Sequence, residues 1–306
     1  MQTLSLPYDL PRPDQLDTFT AINLDDLVAS VGWAEGSPGA RLLRRVFYRP
    51  ARIFARQMVA FDADIATGGL AEASRRLLRQ YVREVRVHGR ERLPGGPVLM
   101  LANHPGMTDT VSLFAALNRP DLRVIALQRP FLTAMPNMDR LLDHVLEDPA
   151  RRMGLVRRVS AHLRGGGAVL TFPAGHIEPD PGLSPGEAQA SLQTWTDSVG
   201  VFVRMAPGTA VVPVLVRGVV WKAAGQSPLL ALKRTPEEKD RLAAALQLLG
   251  MVLLGLRPVT VHVQIGAPVR PFEPGWKDPA SLHRAVLAGM QELIGQPAEG
   301  PGEPAL

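Results

Sequence analysis

The chain contains no cysteine, which removes disulfides, thiolate nucleophiles and cysteine metal sites together and leaves the redox compartment open. Aromatic residues are only 5% of it, and with no nucleic-acid motif present this argues against a nucleic-acid partner despite the positive charge. Lysine is nearly missing: Lys222, Lys233, Lys239 and Lys277 are the only four among 34 basic residues, so 30 are arginines. At a net charge of +5, that bias suits anionic lipid headgroups or phosphorylated substrates, because a guanidinium fork matches two phosphate oxygens at once. A long hydrophobic run is missing too. The longest apolar run, 242–256, contains Gln247 and stops at Arg257, short of the roughly 20 residues a spanning helix needs, and reads as a buried or interfacial helix. Residues 1–20 carry proline and aspartate but no apolar signal segment, so the chain is expected in the cytoplasm.

What is present is 306 residues, 46% apolar and 21% charged, enough for a large core and about two domains by size. Residues 1–37, with Pro7, Pro11 and Pro13 ahead of Leu24-Asp25-Asp26-Leu27, read as a loosely attached leader holding one short helix. Residues 38–81 read as an amphipathic helical subdomain. Leu42, Leu43, Val46, Phe47, Ile53, Phe54, Met58 and Val59 recur there at helical spacing among Arg41, Arg44, Arg45, Arg49, Arg52 and Arg56, and Pro50 is expected to divide or kink the helix. Such a helix can lie on an anionic membrane surface, or pack on a sheet with its arginines in water.

From 82 to 296, short apolar strands alternate with helices, which argues an α/β domain around a largely parallel sheet. Strands are expected at 82–88, 98–102, 122–127, 168–172, 210–216 and 259–265, with 187–204 as a single helix. Residues 297–306 read as a disordered tail.

One stretch organises this domain. Val98-Leu99-Met100-Leu101-Ala102 is continuously apolar and ends in Asn103-His104-Pro105-Gly106-Met107-Thr108-Asp109. Pro105 and Gly106 force a turn, Thr108 or Asp109 can cap the following helix, and His104 is thereby set at the carboxyl end of a strand with Asp109 in a helix's first turn. A neutral imidazole can take a proton from an alcohol while a carboxylate on its other nitrogen fixes the tautomer. A packed histidine beside an ordinary cap is the simpler reading of an isolated His-x4-Asp pair, but the edge of an α/β sheet is where sites form. A metal reading finds no His-Glu-x-x-His element and no cysteine to complete a ligand set. Gly182-Leu183-Ser184-Pro185-Gly186 satisfies the nucleophile-elbow pattern, yet no strand precedes it and Pro185 lacks the N–H an oxyanion hole requires.

At these residues the chain resembles the PlsC-type glycerolipid acyltransferases. Asn103-His104-Pro105-Gly106-Met107-Thr108-Asp109 is similar to their first motif, Asn-His-x4-Asp, and Phe172-Pro173-Ala174-Gly175 to their third, Phe-Pro-Glu-Gly. Val211-Val212-Pro213-Val214 resembles the fourth, and Gln128-Arg129-Pro130-Phe131 falls where the acceptor-binding second motif is kept. The third motif follows the first by about 70 residues and the fourth lies about 40 further on, as when consecutive strands of one sheet carry site loops.

The resemblance implies the acyltransferase fold and transfer of an acyl group from acyl-coenzyme A or acyl carrier protein to a lipid or polyol hydroxyl. It implies His104 as base, Asp109 as orienter, no metal or other cofactor, and a place at the inner face of the membrane. Asn103, Phe172, Pro173, Gly175, His176 and Pro213 are carried over as substrate-binding, with Arg129, Arg151 and Arg152 as candidates for gripping a phosphate. The third motif departs from the family: Ala174 stands for its Glu and His176-Ile177 for the residues after its Gly, while Glu178 downstream can substitute. That departure bears on the acceptor, which could be lysophosphatidate, a lyso-ornithine lipid, a glycolipid or another alcohol. A noncatalytic lipid-binding module on the same scaffold is the rival from another class.

Overall fold

The computed structural model describes residues 13–145, 149–232, 235–271, 279–296 and 300–306. Two helices open the chain, α1 (Pro13–Val31) and α2 (Pro38–Tyr81). They run antiparallel, tied by Arg52–Asp17 at 2.6 Å, by Arg44–Asp25, and by the Asn23 amide donating to the Ala51 carbonyl. Helical dihedrals continue through Pro50, and the expected break falls instead at Gly69, whose φ of 76° only glycine adopts freely. There the chain folds back. Residues 70–81 lie against 57–64 through Arg76–Asp64 at 2.9 Å, Gln57–Gln80 at 2.9 Å and the Tyr81 hydroxyl on Gln57.

The leader is not loosely attached where it is described: Phe19 is fully buried and meets Phe131 edge-on at 5.8 Å. Its helix carries a buried line, Phe19, Leu24 and Val28, hidden in sequence among aspartates and threonines.

The sheet follows. Its strands are β1 (Glu84–His88), β2 (Val98–Ala102), β3 (Leu122–Leu127), β4 (Leu142–Val145), β5 (Ala168–Thr171), β6 (Ala210–Arg217), β7 (Thr260–Ile265) and β8 (Glu303–Pro304), in the spatial order β4-β3-β5-β2-β6-β7-β1-β8. The first five of that order run parallel, while β7 is antiparallel to β6 and parallel to β1. β2 is buried at all five positions, the signature of a central strand covered on both faces. β4 escapes sequence reading because Asp143 and His144 interrupt its apolar pattern.

Helices α3 (Met107–Leu117), α4 (Pro130–Thr133) and α5 (Pro136–Asp139) join α2 on one face. On the other lie α6 (Pro149–Arg164), α7 (Pro185–Ser191), α8 (Val199–Met205) and α11 (Pro279–Gly295). Between β6 and β7 come α9 (Lys222–Gly225), a 3₁₀ turn (Pro228–Leu232) and α10 (Pro236–Leu254). Residues 187–204 are not one helix, since a second 3₁₀ turn (Leu192–Thr194) and Trp195 separate α7 from α8.

The tail is likewise ordered where described. β8 pairs with β1, Arg90 bridges to Glu303 at 2.9 Å, and Ala305 is buried, so residues 300–306 cover a sheet edge that would otherwise stand open. Residues 297–299 lie outside the described residues.

Candidate active site

β2, β3, β5 and β6 all end at one edge of the sheet, and the loops leaving them carry the candidate residues. Past Ala102, Asn103 turns its amide inward: it donates to the Val216 carbonyl at 2.9 Å and accepts from the Val216 N–H at 2.7 Å. That reciprocal pair pins the end of β2 to β6. Asn103 is buried with both amide atoms engaged, so it shapes the loop rather than meeting substrate.

His104 emerges next. α3 starts at Met107, and Asp109 in its first turn reaches back to accept the Gly106 N–H at 2.8 Å. The same Asp109 Oδ2 accepts from His104 Nδ1 at 2.8 Å, while Oδ1 takes the Thr110 hydroxyl at 2.9 Å and the Thr110 N–H. Asp109 is fully buried whereas the His104 side chain keeps 30% of its surface. With Nδ1–H committed to the carboxylate, Nε2 carries the lone pair. Burial works against the imidazolium, but the Asp109 charge, its hydrogen bond and the Glu178 charge outweigh it and raise the His104 pKa above its ordinary value.

Glu178 does not face a substrate. It is only 2% exposed, and one oxygen accepts the His104 N–H at 3.0 Å while the other accepts the Trp195 indole N–H at 2.8 Å and the Ser191 hydroxyl at 3.0 Å. Its own N–H donates to the His104 carbonyl at 2.8 Å. Both main-chain groups of His104 are therefore held by this one residue. Desolvation raises the Glu178 pKa and its three donors oppose that.

Two residues on, buried Asp180 accepts from the N–H groups of Gly182, Gly218, Val219 and Val220 at 2.7–2.9 Å. Val219 in turn packs on Gly106, where an added Cβ would stand 3.3 Å from it. Sequence reading missed Asp180, Ser191 and Trp195. The one available signal was Glu178-Pro179-Asp180-Pro181, two acids on a stiff segment directly after the third motif.

The third motif itself divides. The Phe172 ring stands 5.0 Å from the His104 ring, Pro173 is buried, and Gly175 turns the chain with φ 71° beside exposed His176, whose Nδ1 bonds the Ala174 carbonyl at 2.8 Å. Pro213 is not at the edge. It sits mid-strand opposite Leu101, beneath α11, where Gly266 and Gly289 leave room for its ring. The β6–β7 pairing slips by one residue there, from Val214↔Ile265 to Val211↔Val269, and such a bulge is where a strand tolerates proline.

Arg129 begins the loop after β3 and acts electrostatically on Asp26 of α1. Arg152 is exposed at the start of α6, and the Arg151 side chain lies outside what is described. These arginines share the edge but stand two and three strands from β2, roughly 10 and 14 Å at the usual strand spacing. Among the described residues, no group of three His, Asp or Glu side chains is placed to hold a metal ion. Ser184 precedes α7 in a turn with no strand before it, so it is no nucleophile elbow.

Glu178→Gln is expected to lower kcat about 10- to 100-fold with little change in KM, since an amide cannot accept all three donors and the His104 loop loosens. The pH inflection of kcat/KM should fall as well, because the Glu178 charge helps raise the His104 pKa. An unchanged profile would reduce Glu178 to a merely structural role.

Residues 84–217 match the family model described as Acyltransferase, a span that runs from β1 to the end of β6 and includes His104, Asp109 and the third motif. The chain is also similar to the 1-acyl-sn-glycerophosphate (LPA) acyltransferase PlsC from Thermotoga maritima, at 18% identity, covering 94% of this chain and 100% of that one with a TM-score of 0.44. No curated protein matches it.

Proposed function

We propose that this chain is an acyltransferase that moves a fatty acyl group from acyl-coenzyme A or acyl carrier protein to a hydroxyl of a lipid or other alcohol acceptor. The observation that carries the reading is His104, locked through Nδ1 to buried Asp109 with Nε2 left to act. Nε2 takes the hydroxyl proton as the oxygen attacks the thioester carbonyl. The imidazolium is stabilised by Asp109, the tetrahedral intermediate collapses with cleavage of the C–S bond, and the departing sulfur takes the proton from Nε2. One ester bond forms, one thioester bond breaks, and the base is restored. Neither a metal nor a covalent acyl-enzyme is needed for this sequence of steps.

His104→Ala is expected to lower thiol release from acyl-coenzyme A about 10²- to 10⁴-fold with an unchanged unfolding transition. Because the base must be neutral, log kcat/KM should climb with pH to an inflection above the ordinary histidine value of about 6.5. Asp109→Asn should move that inflection down. Wild-type turnover in His104→Ala would remove the assignment.

The acceptor is a second question. Ala174 packs on the apolar cluster under α6 and α11, and Glu178 is consumed inside, so the third-motif loop presents no carboxylate or arginine to a phosphate. This favours an uncharged or zwitterionic lyso-lipid, a glycolipid or another alcohol over lysophosphatidate. Specificity constants for lysophosphatidate, glycerol 3-phosphate and uncharged lyso-lipids, in wild type and Ala174→Glu, decide it. A strong wild-type preference for lysophosphatidate that ignores the substitution would sink the idea.

The α1–α2 hairpin supports a peripheral attachment to anionic membrane. On α2, Leu42 and Val46 are 63% and 60% exposed beside exposed Arg41, Arg45 and Arg49, and no helix among the described residues is long and apolar enough to cross a membrane. Apolar side chains can enter the interface while arginines meet headgroups. Reversing Arg41, Arg45 and Arg49 to Glu is expected to abolish flotation with anionic vesicles, as should high salt; equal flotation with neutral vesicles would exclude this mode.

A further inference from the structure

The segment 218–259 leaves the sheet at the end of β6 and returns to it at the start of β7, so both its ends lie at the edge that carries His104. Its main element, α10, ends on leucines that face solvent. From Leu242 to Leu254 it carries no charge, and the line it buries, Ala243, Gln247 and Met251, contains its one polar side chain. Gln247 accepts the Trp221 N–H at 2.6 Å and donates to the Val219 carbonyl at 2.7 Å. Leu248 and Val252 pack against the core, Leu242, Leu246 and Leu249 are half-buried, and the two leucines at the end of the helix face away, Leu253 being 51% exposed and Leu254 73%. In the preceding 3₁₀ turn Leu229 is also exposed and Leu232 is 77% exposed. A helix apolar on its outer face needs a covering, and single scattered leucines would not.

We propose that α10 is an interfacial helix: Leu253 and Leu254, with Leu229 and Leu232, enter the acyl layer of an anionic bilayer. The same segment carries six basic residues, Lys222, Lys233, Arg234, Lys239, Arg241 and Arg257, against three acidic ones, Glu237, Glu238 and Asp240. Those cations suit anionic headgroups, and α10 is not long and apolar enough to cross a membrane. It also packs on α2, and just beyond its end Arg257 donates to the Arg79 carbonyl at 3.2 Å. A second copy of the chain would cover leucines equally well but would not call for the basic excess or for a place at the mouth of a lipid-modifying site. The docking rests on the acyltransferase reading only in that the acceptor is a membrane lipid.

The absence of cysteine makes the test clean. Leu254→Cys, and Val201→Cys on α8 as the control, are each labelled with a polarity-sensitive fluorophore and mixed with phosphatidylglycerol-containing or pure phosphatidylcholine vesicles. The label at 254 is expected to shift to the blue with the anionic vesicles and the label at 201 to stay unchanged. Leu253→Glu/Leu254→Glu should weaken partitioning about 30-fold or more, since two leucines would leave the acyl layer. It should keep the wild-type rate of thiol release with a water-soluble short-chain acceptor. An unshifted label at 254 on vesicle-bound protein overturns the proposal, as does a shift that grows with protein concentration in the absence of vesicles. Loss of thiol release with every acceptor, alongside a normal shift, would overturn the catalytic reading and leave the docking supported.

Discussion

The carboxylate of Glu178, buried beneath the His104 loop, is the interaction on which the site depends. A strand-end loop has no ladder partner of its own, and His104 solves this by donating its N–H to the carboxylate of a residue 74 positions later and accepting that residue's N–H at its carbonyl. An isolated buried carboxylate is costly, but three donors make it tolerable. Those donors come from the His104 backbone, from the end of α7 and from Trp195. Position and rigidity of the imidazole therefore depend on the stretch 178–195, which contains none of the reacting groups.

Asp180 performs the same service for a third loop. Its two oxygens gather four N–H groups, one from its own turn and three from the loop after β6. A carboxylate filling such a concave set of backbone donors is strongly held. Because Val219 belongs to that set and packs on Gly106, the loops after β2, β5 and β6 behave as one piece. Asp109 then completes the arrangement from within α3. Three buried acids, each with a different set of donors, thus orient one histidine.

Much of this was legible in the sequence, and the failures have physical causes. Strands β2, β5 and β6 announce themselves because they are buried on both faces and nearly free of charge, and β3 and β7 because apolar residues dominate their short runs. The pairing of His104 with Asp109 follows from a strand ending in a forced turn. What stayed hidden were long-range hydrogen bonds. Glu178 and Asn103 read as substrate ligands because an acid or amide near a motif looks available until its partners are known. Pro213 read as a site residue because a proline inside a strand signals an irregularity, and the irregularity is real, but it is a bulge beneath α11. The 300–306 segment read as disordered because its Pro301-Gly302 start carries no apolar pattern, whereas two strand residues on β1 suffice to order it. The leader misled in a related way, since one fully buried phenylalanine anchors a helix whose remaining faces are polar.

The polar residue on the inner line of α10 has a consequence for how a lipid-facing surface could act on the catalytic loop. Gln247 bonds to both sides of the 219–221 loop, that loop is gripped by Asp180, and Val219 touches Gly106, two residues from the base. Each step is a short hydrogen bond or a direct packing contact between buried groups. Such a connection transmits position and carries no hinge, since the N–H groups of Gly218, Val219, Val220 and Trp221 are all committed to it. A surface built this way would hold the mouth of the site at a fixed height above whatever the leucines enter, so that the acceptor hydroxyl is brought to Nε2 by placing the whole domain rather than by closing a lid over it.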